Sequence, residues 1–191
     1  MKERIPLAEG VKLANEVVAL LETSCERLEV AGSIRRQKET VGDVEIVCIP
    51  RFSTGDPQGL FGDYAEDVNR QLERVQHLLA DGTFEHRLDK NGHKCCGEGC
   101  QRLLYKGFAL DIFPCVGTSQ YGVIKLIRTG SGDFNKRFVL QWSQGGTILN
   151  VGLQIKDGGL YDRGVLIPTP EEIDVFNAVG LAYLEPQERE S

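Results

Sequence analysis

The sequence predicts a mixed α+β fold, in which a mixed sheet with helices is followed by a small α/β unit. Three observations carry this: apolar residues at helical spacing, short β-branched strands between them, and a change of texture near residue 118. Leu7, Val11, Ala14, Val18 and Leu21 recur at steps of four and three and mark a helix over 7–24. Arg27 to Ala31 reads as a short strand running into a Gly32-Ser33 turn and the basic segment IRRQK. DVEIVCIP, residues 43–50, is rich in β-branched and apolar types and is ended by Pro50. Three glycines and a proline over 53–63 predict a loop. Val68, Leu72, Val75 and Leu79 form a second helical stripe that Gly82 ends. Strands around 83–88 and 101–105 flank the loop KNGHKCCGEGC, and FALDIFPC is a strand with apolar residues on both faces.

Beyond it, residues 120–129 predict a short helix and TGSG a turn. DFNKRFVLQWS predicts a helix closed by Gly145-Gly146, with Phe138 and Trp142 four apart on its core side. ILNVGLQIK and LYDRGVLIP form a hairpin around Asp157-Gly158-Gly159. Thr169-Pro170-Glu171-Glu172 is a capping box with proline at the first helical position, and Gly180 ends the helix it opens.

With 191 residues, 41% hydrophobic and 26% charged, the chain has the composition of a globular protein of one generous domain or two small ones. No apolar run reaches the ~18 residues of a membrane span, and MKERIPLAEG lacks the apolar core of a signal peptide. Six cysteines without an export signal argue for a reducing compartment, so the expected location is cytoplasmic, with nucleus and virion left open. Cys25, Cys48 and Cys115 lie in apolar stretches and read as small core residues. The formal charge of −6 means that any nucleic-acid contact rests on local patches, of which Arg35, Arg36 and Lys38, then Arg87, Lys90 and Lys94, then Arg102 and Lys106, then Lys125, Arg128, Lys136 and Arg137 are the candidates.

The chemistry concentrates in AGSIRRQKETVGDVEIVCIP. Alternate side chains of a strand share a face, so Asp43 and Glu45 point the same way and repel unless a cation lies between them. Hard oxygen ligands of this kind suit Mg²⁺ that completes its shell with substrate phosphates. Gly32 and Ser33 offer backbone N–H groups and a hydroxyl to a phosphate, and Arg35 and Arg36 offer planar paired donors. A lone D-x-E is most simply a pair of solvated acids on an edge strand. Here Val47 and Ile49 continue the same face, and Asp111 interrupts an otherwise apolar strand where an unpaired carboxylate is costly. The set makes sense as two-metal chemistry at phosphorus: Asp43 and Glu45 bridge two ions, and Asp111 holds the ion that activates the attacking hydroxyl and accepts its proton.

The GS-x9-D-x-E pattern with a later lone Asp resembles the nucleotidyltransferase superfamily. RIPLAEGVKLANEVV, VAGSIRRQKETVGDVEIV, YGVIKLIRTGSGDFNKRF and IPTPEEIDVFNAVGLAYLEPQERE resemble, in order, the palm, the triphosphate and metal segment, the palm-to-thumb junction and the thumb of family X DNA polymerases. The resemblance implies a palm over 1–118 and a thumb over 119–191, without a lyase domain or helix-hairpin-helix fingers, similar to the minimal virus-encoded members. It implies that Gly32, Ser33 and Arg36 bind the triphosphate and that Thr129, Gly130 and Ser131 form a bend beside the sugar, a place for a cis peptide. Asn135 reaches the minor-groove edge of the incoming base, and Lys136 lies near the template. Glu45 stands where these enzymes carry Asp, Ile127-Arg128 where they carry Tyr-Phe against the sugar, and Gly132 where a larger residue packs on the nucleotide. The implied activity is short-gap filling or DNA repair with dNTPs on primer-template or gapped DNA, using two Mg²⁺ or Mn²⁺ ions, with a partner supplying the DNA grip. The alternative is a template-independent transferase acting on nucleic-acid ends or a small acceptor.

His93, Cys95, Cys96 and Cys100 offer four soft ligands within eight residues. Three readings stay open for them: a loop of reduced thiols, a Zn²⁺ clip, or a Cys95–Cys100 disulfide.

Overall fold

A computed structural model describes residues 4–54, 67–139 and 152–189. A short strand β1 (Ile5–Pro6) leads into α1 (Leu7–Leu21), continued by a 3₁₀ turn over Glu22–Ser24. Then come β2 (Cys25–Val30), α2 (Gly32–Arg35), β3 (Thr40–Val41), β4 (Val44–Pro50), β5 (Phe52–Thr54) and β6 (Asp67–Asn69). Helix α3 (Arg70–Ala80) precedes β7 (Phe84–His86), β8 (Gln101–Tyr105) and β9 (Phe108–Pro114). The C-terminal part holds α4 (Thr118–Thr129), α5 (Gly132–Val139), β10 (Leu153–Lys156), β11 (Gly159–Asp162), β12 (Val165–Ile167) and α6 (Glu172–Ala178), with a last 3₁₀ turn at Pro186–Glu188.

The main sheet has the order β2-β4-β9-β8-β7, with β4 and β9 parallel and the other pairs antiparallel. Its two faces bury different side chains, as strand alternation requires. Val44, Ile46, Cys48, Leu103, Leu110 and Ile112 meet Ala14, Val17 and Leu21 of α1 and Val75 and Leu78 of α3. On the opposite face Val47, Ile49, Phe113 and Cys115 meet Ala31 and Tyr121 of α4. A third core joins Val123 and Leu126 of α4 to Phe134, Phe138, Leu153, Leu160, Val175 and Phe176. Cys25, Cys48 and Cys115 are buried and free. Among the described residues no helix is long and apolar enough to cross a membrane.

Several local expectations shift. Gly32-Ser33 opens a single helical turn, and Val68 sits in β6, paired with Ser53, so the loop over 53–63 begins inside a strand. LYDRGVLIP is broken by Arg163 and Gly164, both at positive φ, so the hairpin around Asp157-Gly158 continues into a third strand. The capping box moves by two residues. Thr169 donates its hydroxyl to Ser119 O at 3.0 Å, while the Asp174 carboxylate accepts the Glu171 N–H at 2.8 Å at the start of α6. The tertiary bond to α4 draws Thr169 away from the cap. Trp142, Gly145-Gly146 and all of 55–66 lie outside the described residues.

Candidate active site

Strand register lines up one row of residues across the sheet. Glu45 faces Asp111 across the parallel pair, Asp111 faces Arg102 across β8–β9, and the Arg87 N–H donates to Arg102 O at 3.2 Å. On the other side the Ala31 N–H donates to Glu45 O at 2.8 Å. Register partners present side chains to the same face, so the row reads carboxylate, carboxylate, guanidinium, guanidinium. Its face is the one carrying Val47, Phe113 and Tyr121. Asp43, one residue before β4, adds its charge to Glu45.

Burial, followed by the charges of Asp43 and Asp111, pushes the Glu45 carboxyl up to about 7, against a smaller pull from Arg36 and Arg128. Asp43 and Asp111 are therefore each in electrostatic reach of Glu45. Asp111 Oδ1 accepts a hydrogen bond from Arg87 Nη2. Arg128 lies over Phe113, its guanidinium carbon 3.8 Å from the ring centroid.

The turn after β2 sits directly on this row. Gly32 has φ 64, and a Cβ there would fall 1.9 Å from Glu45 Oε2, so a side chain at this position and the acid exclude each other. Ser33 Oγ is buried without a hydrogen-bond partner among the described residues, and so is Asn135 Oδ1. Buried polar atoms are almost always satisfied, so two orphans at one site fit an absent polar ligand. Asn135 is aimed by its own amide, which donates to Ile127 O at 2.6 Å. Arg36 Nη1 donates to Thr129 O, bringing Arg36 to the bend. The Gly130–Ser131 peptide in that bend is cis. Ser131 Oγ accepts the Phe134 N–H at 3.2 Å, capping α5, and donates to Arg189 O at 2.7 Å.

The oxygen donors Asp43, Glu45 and Asp111 have the chemistry that Mg²⁺ takes, and their mutual repulsion is what a divalent cation relieves. With Asp111 held by Arg87, they do not converge: among the described residues no three His, Cys, Asp or Glu side chains are arranged to hold one ion. The donor set fits a divalent cation by its chemistry, three carboxylates with Glu45 buried among them.

Other expected residues lie elsewhere. The Arg35 guanidinium is committed to both oxygens of Glu172, with Nη1 2.7 Å from Oε1, and to Thr129 Oγ1 at 2.6 Å; it ties α2 to α6 instead of facing a phosphate. Lys106 lies in the β8–β9 turn, paired with Glu16 of α1 at 2.7 Å and away from the acids. Lys136 pairs with Asp133 at 3.0 Å on the exposed side of α5, where Arg137 is exposed as well. The four-ligand zinc clip does not form. Cys96 packs on the core of one sheet face and Cys100 on the other. The exposed His93 reaches only toward Asp89, at 3.6 Å. Cys95, Cys96 and Cys100 are free thiols, with Cys95 Sγ donating to Cys100 O at 3.5 Å.

Arg87 and Glu172 are the residues that sequence reasoning undervalued. Arg87 stood in a basic cluster and Glu172 in a helix cap, and only the strand order and the packing of α6 give them partners. Glu172, 3% exposed, also accepts from Arg189 Nη1 at 2.9 Å and from the Tyr183 hydroxyl at 3.2 Å.

Residues 125–190 match the family described as DNA polymerase beta thumb. The chain is 32% identical over 168 residues to DNA polymerase lambda of Rattus norvegicus, an alignment covering 83% of this chain and 28% of that protein. The chain therefore spans under a third of the length of that relative. With a five-stranded mixed sheet carrying the acids and a thumb match behind it, the chain belongs to family X of the DNA polymerases, the polymerase-beta-like nucleotidyltransferases.

Proposed function

We propose that this chain is the palm, over 1–118, and thumb, over 119–191, of a DNA-directed DNA polymerase that transfers a nucleotide from a dNTP to a primer 3′-hydroxyl in short-gap filling. The observation that carries the reading is the Glu45–Asp111 register pair, with Asp43 beside it, abutting the Gly32-Ser33 turn and the orphaned Ser33 hydroxyl. Two divalent cations, Mg²⁺ or Mn²⁺, held by Asp43, Glu45 and Asp111, would supply charge stabilisation at the attacking and leaving oxygens. The residues do the rest. The Gly32 N–H, Ser33 hydroxyl and Arg36 guanidinium hold the triphosphate, while Asn135 offers a free acceptor to the incoming nucleotide. Asp111 takes the proton of the 3′-hydroxyl as that oxygen bonds to the α-phosphorus and pyrophosphate leaves. The bend at Thr129, Gly130 and Ser131 sets the sugar, and Arg128 and Lys136 border the nucleic acid. A partner that grips DNA and an intracellular setting belong to the same reading.

A template-independent transfer is the second reading, and Arg128 favours it. It places a cation over Phe113 where family X enzymes carry the Tyr-Phe pair against the sugar. Extension of a labelled primer on one-nucleotide-gapped DNA, with each dNTP separately and with Mg²⁺ or Mn²⁺, distinguishes the two. Insertion of the complementary nucleotide alone, lost in Asp111→Ala, supports templated synthesis. Extension of single strands by any nucleotide supports the second reading, and failure on every DNA substrate removes the first and leaves the second with RNA ends and small acceptors.

A further inference from the structure

Asp111 has a ready-made cation. Arg87 comes from the end of the edge strand β7, two strands away, and reaches past Arg102 to hold Asp111 Oδ1. The pair is largely shielded, with side chains 25% and 13% exposed, whereas Arg102, the direct register partner, is exposed. Asp111, Glu45 and Asp43 form a like-charged group on a half-buried sheet face, and such a group needs a counter-charge to be kept together. Arg87 supplies it to the one acid of the three that comes from the neighbouring strand. A guanidinium and a divalent ion seek the same lone pairs, so an Asp111 oxygen cannot serve both at full strength. Release of Arg87 needs no backbone change, because its main chain is held by the bond to Arg102 O and its side chain is a quarter exposed, open to solvent on one side.

We propose that Arg87 is a built-in placeholder for the divalent cation: its guanidinium holds Asp111 while no ion is bound and surrenders it when one binds. The proposal rests on the reading of the three acids as a metal site. Arg87 is a positioning residue acting through Asp111, and its exchange makes ion occupancy cost the rupture of an ion pair. That keeps the site ordered before loading and tunes its affinity downward.

The test is Mn²⁺ binding to the whole chain, read by the loss of free-ion electron paramagnetic resonance signal, in wild type, Arg87→Met, Arg87→Lys and Asp111→Asn. Arg87→Met is expected to bind Mn²⁺ about fivefold more tightly, the worth of one partly exposed ion pair, with Arg87→Lys between it and wild type. A residue that merely supported the fold would leave affinity unchanged or lower it, and either result in Arg87→Met overturns the exchange. Mn²⁺ binding that ignores Asp111→Asn overturns the metal-site reading itself and the exchange with it. A wild-type measurement stands independently of variant folding. The Arg87 Nη–H resonances should be slowly exchanging without Mg²⁺ and move to a solvent-like position on its addition; signals that do not respond while Mg²⁺ binds refute the handover.

Discussion

Glu45 and Asp111 are register partners on adjacent parallel strands, so two acids 66 positions apart in the chain stand side by side on one sheet face. Neither acid gains much from its own strand. Their proximity is a product of strand order, and it sets the protonation behaviour of the site.

The first prediction follows from Glu45, whose carboxyl is raised from 4.5 to about 7 by burial and by Asp43 and Asp111. The folded state then binds this proton more tightly than the unfolded state does. Without divalent ions, stability should be fullest below about 4.5 and fall as pH rises through 7, by on the order of 3 kcal/mol. Denaturant titrations with a chelator at several pH values should show this slope, with Glu45→Gln removing it. With Mg²⁺ the charged form is favoured and the slope should flatten.

Gly32→Ala should disable the phosphate turn. Its φ of 64 costs an alanine roughly 1–2 kcal/mol, and the added methyl would meet Glu45 Oε2 and Cδ at 1.9 and 2.8 Å. Turn and acid cannot both stay in place. Binding of a non-hydrolysable dNTP, followed by calorimetry, should weaken tenfold or more.

Glu172 ties three donors together: Arg35, Arg189 and Tyr183. Burial opposes its ionisation, but Arg35 and Arg189 hold its carboxyl below the usual range. The stability it confers is therefore present near neutral pH and lost as pH falls below the normal carboxylate range. Glu172→Ala leaves the fully buried Arg189 unpaired and should cost about 3–5 kcal/mol in denaturant unfolding, and Glu172→Gln clearly less.

Gly122 lets α4 lie directly on the chain before α6. A Cβ there would sit 2.2 Å from Glu171 O and 2.6 Å from Thr169 O, both backbone atoms that cannot rotate aside. Gly122→Ala should destabilise by about 1–3 kcal/mol, visible as a lower melting temperature.

The strands bearing the acids were legible because Val44, Ile46 and Cys48, and likewise Leu110 and Ile112, set an apolar face against which a carboxylate stands out. The cluster was legible only as chemistry: nothing local says that β4 and β9 are neighbours. Arg87 was further out of reach, since its link to Asp111 needs β7, β8 and β9 in sequence across the sheet. Arg35 shows the opposite failure. Its place beside Arg36 suggested a shared task; both guanidinia do reach Thr129, Arg35 at Oγ1 and Arg36 at the carbonyl, but Arg35 is also tied to both oxygens of Glu172. His93, Cys95, Cys96 and Cys100 are not gathered as four ligands because Cys96, bridged to Gln101, packs on one sheet face and Cys100, the neighbour of Gln101, on the other.

The Arg189 main chain accepts both the amide and the hydroxyl of Ser131, and its side chain lies among Phe134, Phe176 and Tyr183 while gripping Glu172. Because Glu172 also restrains Arg35, one residue near position 190 bolts the Thr129–Ser131 bend and the Gly32-Ser33 turn into a single cooperative unit. Fraying there would loosen both sides of the proposed nucleotide site at once, so a ligand that steadies either side should slow amide exchange at Ser131 and Arg189 together.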